Sequence, residues 1–471
     1  MSAWAVDAPA MRVLAILLLS VLSAQSAQSA GDGSAPSAWA IAPFAVLLLA
    51  IAVLPLVQAA FWHHWYPWIA IGLGSVTAGY YLIGLNAAGP IIHAGFEYAA
   101  FITLIACLFL CSAGVVLRLG IKGTPLTNVA FLAIGAVAAN VVGTTGAAML
   151  LIRPWLRLND GRLRPYHVVF FIFLVANVGG ALTPIGDPPL LLGYLRGIHF
   201  WRFAELNWAP WLVAIGSLLA VFWVIDRRNG ALATAPPPGP RIHLAGWRNL
   251  ALLALALPCL FLDPGLLPGL PAIEYHGQRF SWLREVLLIA IGITAWLITP
   301  RERHEANRAQ LEPLREVGLL FIGIFLTMVP ALDLIRIAAQ SGSIAGMPLD
   351  PSLFYLGTGV FSALLDNAPT FVAFLAGIEG RFGLDAQAIG LSTDPVVALC
   401  LGAAACASVF WGAMTYIGNG PNFMVKAIVA ETRDRDGKAL VVPPDFFSYI
   451  WRYSLPILLP VLLLVWFLFY R

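Results

Sequence analysis

A ten-residue pattern occurs twice in this sequence, and each copy interrupts an apolar run. Residues 180–189 read GALTPIGDPP and residues 412–421 read GAMTYIGNGP, so both fit G-A-x-T-x-I-G-[DN]-x-P. Such a polar segment bounded by prolines cannot continue an ordinary helix, and membranes tolerate irregular backbone only where protein or a water-filled cavity covers it. The pattern predicts two broken transmembrane helices, and paired breaks in two halves of a chain are typical of the binding site of a secondary transporter.

The composition places these breaks in a membrane. Hydrophobic residues make up 60% of the chain and charged residues 11%, whereas soluble proteins average roughly 45–50% and about 25%. With about 20 residues needed for each crossing, the apolar runs predict an all-α polytopic membrane protein with about 10–11 transmembrane helices and two re-entrant hairpins. The lipid bilayer is its first expected partner.

The sequence argues against ATP-driven and metal-dependent machinery. It contains no G-x-x-x-x-G-K-[ST] phosphate loop, which makes ion gradients the expected energy source. The five cysteines lie in apolar runs without C-x-x-C spacing, a placement that favours small buried hydrophobic residues over disulfides or metal ligands. We expect no enzyme activity, no bound cofactor and no nucleic-acid partner.

A proline-rich stretch divides the chain near its middle. Residues 227–246 are predicted to be a cytoplasmic linker between a first membrane repeat, 38–226, and a second, 247–471. Residues 1–30 combine a basic residue, an apolar run and small residues, which is typical of a signal peptide. The alternative for this segment is a short first helix that is retained.

Basic residues predict that the apolar run 125–151 returns to the side from which it starts. Arg118 and Lys122 precede this run, and Arg153, Arg157, Arg162 and Arg164 follow it. Lysine and arginine mark cytoplasmic loops, so both ends are expected inside the cell. The run is therefore a predicted re-entrant hairpin whose small, polar middle is residues 140–146.

The second half of the chain repeats this order with the opposite orientation. A predicted hairpin at 351–378, with the tip sequence LDNAPT at 365–370, is followed by an acidic loop without a positive excess, and so it enters from outside. The broken helices are expected at 166–194 and 395–430. Because the hairpins enter from opposite faces, the two halves are predicted to be inverted repeats.

In an inverted repeat the two hairpin tips and the two helix breaks meet near the bilayer midplane, where they can bind a solute or ion. Neutral side chains and glycines at these places are the candidate ligands. The alternative is that the polar ones only join helices by hydrogen bonds. The candidates are Asn140, Thr144, Thr145, Asn177, Thr183, Gly186, Asn367, Thr370, Thr415, Gly418, Asn419 and Asn422.

Asp187 and Asp366 are the charged candidates, one in a helix break and one in a hairpin tip. An ionised carboxylate at membrane depth is costly and usually marks an ion or proton pathway. Desolvation favours its protonated form and a bound cation favours its ionised form, so a proton and a sodium ion can compete for it. The alternative is that either aspartate caps the N-terminus of a half-helix. Glu97 lies near the outer end of its helix and is expected to be solvated, and the alternative is that it belongs to the same pathway.

Three segments carry a resemblance to a known group of transporters. Residues 177–189, 365–370 and 417–422 resemble the ion transporter superfamily of arsenite-efflux permeases, NhaD-type sodium/proton antiporters, and citrate and dicarboxylate carriers. The resemblance covers about 95–470. It implies a homodimer in which a scaffold domain holds a mobile domain of two hairpins and two broken helices that moves like an elevator.

The hairpin tips favour one branch of this superfamily. The dicarboxylate carriers have Ser-Asn-Thr tips, whereas this chain has Ala139-Asn140 and Asp366-Asn367. The Asp-Asn-x-Pro form at 366–369 resembles the antiporters and arsenite permeases. The first hypothesis is a sodium:proton antiporter of the bacterial inner membrane, in which Asp187 and Asp366 bind the transported sodium. The alternative is a cation-coupled transporter of citrate or a dicarboxylate. A channel or a structural membrane protein is the third hypothesis.

Overall fold

The computed structural model describes residues 36–230, 242–264, 267, 269–275, 278–307, 311–344, 346–433 and 439–471. The expected signal segment 1–30 and most of the predicted linker lie outside these residues. The α-helices are Ala42–Val57, Ala59–Gly79, Gly89–Ala113, Pro125–Leu158, Pro165–Leu174, Pro188–Leu195, Arg202–Arg227, Trp247–Cys259, Leu283–Ile298, Arg301–Asn307, Glu312–Ala339, Pro351–Leu364, Asn367–Phe382, Ala386–Leu391, Pro395–Trp411, Gly420–Glu431, Phe446–Tyr449 and Leu459–Phe469.

Shorter elements connect these helices. Antiparallel strand pairs are Val116–Leu119 with Ile242–Ala245, Ala272–Tyr275 with Gln278–Ser281, and Ser343–Ile344 with Met347–Pro348. The 3-10 helices are Ala38–Ile41, Val178–Gly180 and Gly412–Met414, and the π-helical segments are Tyr80–Gly84 and Ile450–Leu458. These pieces are small beside the helices.

Seven helices in the described ranges are long and apolar enough to cross a membrane. The predicted all-α, multi-pass class is therefore confirmed. Fewer helices pass this test than the predicted number of about 10–11 crossings. The difference arises because several apolar helices are short or interrupted, among them Pro165–Gly180, Trp247–Cys259 and Pro351–Leu364.

The helix Pro125–Leu158, named hairpin 1 here, turns back on itself at Gly143. This residue has φ 78° and ψ 154°, a conformation that glycine adopts without the clash of a Cβ atom. The two arms meet again at their base, where Asn128 donates a hydrogen bond to Asn159 over 2.7 Å. Hairpin 1 extends past the predicted end at residue 151, because Trp155 and Leu158 remain buried beyond the first arginines.

Hairpin 2 consists of Pro351–Leu364 and Asn367–Phe382, joined through Leu365 and Asp366 in extended conformations. Its arms pack face to face, with the rings of Phe361 and Phe374 5.9 Å apart. Hairpin 2 also ends later than the predicted residue 378.

Each hairpin is followed by a helix that breaks at the repeated pattern. Break 1, residues 181–187, separates Pro165–Gly180 from Pro188–Leu195, and break 2, residues 415–419, separates Pro395–Met414 from Gly420–Glu431. Prolines follow both breaks at the first turn of the next helix, where a missing N–H costs nothing. The same order of hairpin and broken helix thus occurs in both halves.

A second group of helices packs beside these elements and is named the scaffold here. Its members contact one another in the order given: Ala42–Val57, Ala59–Gly79, Glu312–Ala339, Gly89–Ala113, and then Leu283–Ile298 and Trp247–Cys259. Small residues allow close approach of these helices, because a Cβ on Gly323 would lie 2.6 Å from the Ala70 carbonyl oxygen. Hairpin 1 packs on Gly89–Ala113, and hairpin 2 packs on Glu312–Ala339.

We predict that Gly186→Ala strongly destabilises the fold. The new Cβ would lie 2.0 Å from the carbonyl oxygen of Gly180, which is backbone and cannot rotate away. The expected loss is roughly 2–3 kcal/mol or more, measured as a lower unfolding temperature or loss of monodisperse protein in detergent. The matched control is Gly72→Ala, where a Cβ meets nothing within 4 Å. Equal unfolding temperatures for the two variants would contradict the close packing of break 1.

Candidate functional site

The tip of each hairpin is bonded to the break that follows it in the same half. Thr144 N–H donates to the carbonyl oxygen of Gly186 over 2.7 Å, and Asn367 N–H donates to that of Gly418 over 3.2 Å. Both glycines belong to the repeated pattern. The two copies of the pattern therefore hold equivalent positions against the two tips.

Asp187 lies where the two halves meet, with only 1% of its surface exposed. One carboxylate oxygen, Oδ1, accepts a hydrogen bond of 2.5 Å from the Thr144 hydroxyl of hairpin 1. The other, Oδ2, accepts one from the Asn367 side-chain amide of hairpin 2. The Asn419 amide of break 2 lies 3.1 and 3.3 Å from the two oxygens. One carboxylate thus joins both tips and the opposite break.

The two aspartates have different local roles. Asp187 precedes the helix Pro188–Leu195 at its N-cap position, but its side chain makes no capping bond. Asp366 does cap its helix, since its carboxylate accepts a hydrogen bond of 3.0 Å from Ala368 N–H. The capping alternative therefore describes Asp366, which is half-buried, and not Asp187.

Three buried asparagines form a chain of amides behind Asp187. Asn419 donates to the Asn177 side-chain oxygen over 3.1 Å, and Asn177 donates to that of Asn422 over 2.6 Å. Asn422 in turn donates to the carbonyl oxygens of Gly412 and Thr415 at 2.8 and 2.9 Å. Asn177 and Asn422 thus position Asn419 from both halves of the chain.

Three further candidates fasten the tips to the breaks without bonding Asp187. The Asn140 side chain accepts from Leu182 N–H over 2.9 Å, and the Thr183 hydroxyl donates to the Asn140 carbonyl over 2.6 Å. In the other half, the Thr415 hydroxyl donates to the Ala363 carbonyl over 2.7 Å. These bonds fix the distance between each tip and its break.

Two predicted residues lie at the margin of the site. Thr370 donates its hydroxyl hydrogen bond to the Asp366 carbonyl in its own helix, over 2.8 Å. Thr145 lines a small cavity beside Asp187. The structure thus brings Asp187, Thr144, Asn367 and Asn419 into direct contact, and it places Thr370 outside this group.

The cavity beside Asp187 has a volume of about 40 Å³. It lies between hairpin 1, break 1 and the scaffold helix Gly89–Ala113, whose residues Leu104 and Leu108 form one wall. A water molecule needs about 10–15 Å³ by this measure, so the space suits a few waters or a small hydrated ion. In the described part of the chain, the side-chain oxygen of Asn367 is buried without a hydrogen-bond partner.

Residues 33–470 match the model of a family described as "Putative citrate transport". The chain belongs to this citrate transport family.

A curated relative was also found. It is "Sodium/proton antiporter 2" of Arabidopsis thaliana, which is 26% identical over 219 residues, or 43% of this chain and 48% of the relative. The chain therefore spans about half the length of that relative. Both similarities support a secondary transporter that handles small ions or organic anions in a membrane.

Two side chains that hold the region of break 1 by hydrogen bonds were not predicted from the sequence. Asn207 donates to the Ala181 carbonyl, and the Trp211 ring N–H donates to the Gly179 carbonyl, both over 3.0 Å. The sequence signal that could have indicated these contacts is Asn207, a single asparagine beside an apolar run.

Two further charged residues lie in other surroundings than the sequence suggested. Glu97 is 6% exposed and paired with Arg196 rather than solvated. Arg162, assigned to a cytoplasmic loop, is buried and 2.9 Å from Asp226. Both partners are distant in sequence, so the local pattern did not reveal them.

Thr144→Val is predicted to destabilise the protein more than Thr370→Val. The first change removes a donor from a buried carboxylate, at a cost of roughly 1.5–3 kcal/mol, whereas the second removes a bond between neutral groups worth about 1 kcal/mol. Both threonines are buried, at 1% and 4% exposure, so the pair is matched in chemistry. Unfolding temperatures in the same detergent provide the comparison, and equal losses would argue against a charged Asp187 in the folded protein.

Proposed function

We propose that this membrane transporter exchanges sodium for protons, with Asp187 as the carboxylate that binds either ion. The supporting observation is the position of Asp187, a single buried carboxylate bonded by neutral groups from both halves of the chain. Because these surrounding groups are neutral, the charge of the Asp187 carboxylate has to be balanced by a bound ion. A sodium ion or a proton satisfies this requirement equally, which makes the two competitors for one place.

The amides around Asp187 can stabilise both the ion-free carboxylate and the sodium-bound site. They donate to Asp187 in the arrangement observed, which stabilises the ionised carboxylate without a metal. Rotation of an asparagine amide replaces its N–H donors by an oxygen, and hard cations prefer oxygen ligands. The unpaired oxygen of Asn367 lies on a side chain that already reaches Asp187. We assign Asn367, Asn419 and Thr144 as further sodium ligands.

Asp366 has a different role in this proposal. Its carboxylate is committed to the first turn of the second arm of hairpin 2, and it is one residue from Asn367. Its negative charge helps to attract a cation to the tip, since an opposite charge nearby favours binding. The exchange itself is assigned to Asp187.

Transport of citrate or a dicarboxylate, coupled to a cation, is the second candidate. The family description favours it, because hydroxyl and amide groups at the tips can also donate to carboxylate oxygens. The buried charge of Asp187 and the small cavity beside it favour a cation instead. In the citrate case Asp187 would hold the coupling ion.

The proposal extends to the movement of the helices and to the assembly of the protein in the membrane. The hairpins and broken helices move as one body along the scaffold, carrying the site between the two faces of the membrane. A homodimer in a bacterial inner membrane is the proposed setting. Each hairpin packs against one scaffold helix, Gly89–Ala113 or Glu312–Ala339, and rigid groups that touch along one interface can shift without unfolding.

Asp187→Asn is expected to abolish the exchange. The assay uses everted vesicles that acidify their interior, in which the native chain should release protons when sodium is added. In Asp187→Asn the rate of proton release should fall roughly tenfold or more. The reason is that the neutral amide has no negative charge with which to bind a proton or a sodium ion. The matched control is Asp366→Asn. Asparagine also caps helices, so this variant should retain most of the exchange with weaker sodium affinity. Sodium-driven proton release that persists in Asp187→Asn would refute the assignment.

Moving the charge to the equivalent position in the other half offers a sharper test. Asn419 contacts both oxygens of Asp187, so Asp187→Asn combined with Asn419→Asp leaves one carboxylate at nearly the same place. We expect the double variant to regain part of the exchange lost in Asp187→Asn. No recovery in a well-folded double variant would mean that the direction of the carboxylate, and not only its presence, is required.

Assays with and without citrate distinguish the antiporter from the citrate transporter. The native chain in vesicles should show sodium-dependent proton movement whether or not citrate is added. Uptake of labelled citrate with no sodium/proton exchange in its absence would overturn the antiporter and support the second candidate.

A further inference from the structure

Two ion pairs, one buried and one half-buried, join the scaffold to the elements that form the site. The first pair is Glu97 of the scaffold helix Gly89–Ala113 and Arg196, directly after the second half of the first broken helix, with 2.9 Å between Nη2 and Oε2. Glu97 is 6% exposed and Arg196 12%. Ion pairs of this kind are costly to bury and costly to leave half-made.

The second pair repeats this arrangement in the other half. Arg336 of the scaffold helix Glu312–Ala339 binds Glu379 of hairpin 2 through two nitrogens, at 2.6 and 2.9 Å from the same oxygen. Glu379 is 6% exposed. Each half of the chain thus contributes one ion pair to the interface between the scaffold and the site-bearing elements.

Each scaffold member of these pairs has a second partner on its own helix. Glu97 lies 3.3 Å from His93, four residues earlier, and Arg336 lies 3.1 Å from Asp333, three residues earlier. Asp333 is further bonded by the Tyr81 hydroxyl of the scaffold side. When the pairs across the interface separate, the scaffold charges keep these neighbours, which lowers the cost of leaving a charge unpaired.

We propose that these two pairs form a latch that holds the site-bearing elements in the observed position and opens in every transport cycle. The latch rests on the movement proposed above, but not on the identity of the ion. A contact that must be broken for movement biases the equilibrium towards the position in which it is made. Weakening it therefore increases the time spent in other positions.

A cysteine placed where the scaffold covers hairpin 1 can report the opening of the latch, and its labelling requires no transported substrate. A Cβ at Gly146 of hairpin 1 would lie 3.7 Å from the Cβ of Ser112 on the scaffold helix Gly89–Ala113 and 2.9 Å from its hydroxyl oxygen. Ser112→Ala makes room for the side chain. The parent protein for the test is therefore Ser112→Ala with Gly146→Cys, labelled in membranes with N-ethylmaleimide and followed by peptide mass spectrometry, which separates this residue from the native cysteines.

Loss of either pair should speed labelling of the reporter. Arg196→Gln and Arg336→Gln are each expected to raise its rate about fivefold. Restoring the first pair with exchanged charges, Glu97→Arg with Arg196→Glu, should return the rate to within about twofold of the parent. Arg315→Gln is the matched control, because it removes the same charge from an exposed pair within one scaffold helix and should leave the rate unchanged.

The outcomes distinguish the latch from the transported ion. Rates that stay at the parent value in both Arg196→Gln and Arg336→Gln would overturn the latch, as would an equal rise in Arg315→Gln. If Arg196→Gln yields no folded protein, Arg336→Gln decides, because Arg336 is 40% exposed and tolerates substitution better. Faster labelling in a chain that shows no sodium/proton exchange would support the latch and reject only the proposed substrate.

Discussion

The candidate site depends on one buried carboxyl group that is shared by both halves of the chain. Asp187 comes from the first half, and two of its partners, Asn367 and Asn419, come from the second. Leaving such a carboxylate without donors would cost several kcal/mol, so the halves cannot separate at this point without a replacement for it. The repeated order of hairpin and broken helix brings these parts together, and only the first copy of the pattern has a carboxyl group at this position.

The main architectural features could be predicted from the sequence because they arise from local chemistry. Clusters of glycine, proline and small polar residues end helices, so the two breaks were visible in the repeated pattern, and the flanking charges indicated the two hairpins. Their bounds were less accurate. Hairpin 1 continues past Arg153 because aromatic and aliphatic residues beyond it still face the interior, and a window of apolar residues ends at the first charge.

The contacts between distant segments could not be predicted in the same way. Whether Asp187 caps its helix or turns away from it depends on Asn367, which is 180 residues further along the chain. The same holds for Glu97, whose position near a helix end suggested solvent and whose partner lies 99 residues away. A single sequence specifies which side chains are polar, but the choice of partner is made by the packing of whole helices.

Asp366 caps its helix, so under the proposed sodium/proton exchange only Asp187 at the centre of the site would take part. In a one-for-one exchange at Asp187, the moving body carries the same net charge with sodium as with a proton. A membrane potential does work of about 2.3 kcal/mol per 100 mV only on charge that crosses the bilayer. Such a carrier would be electrically silent, and its direction would follow the two concentration gradients alone.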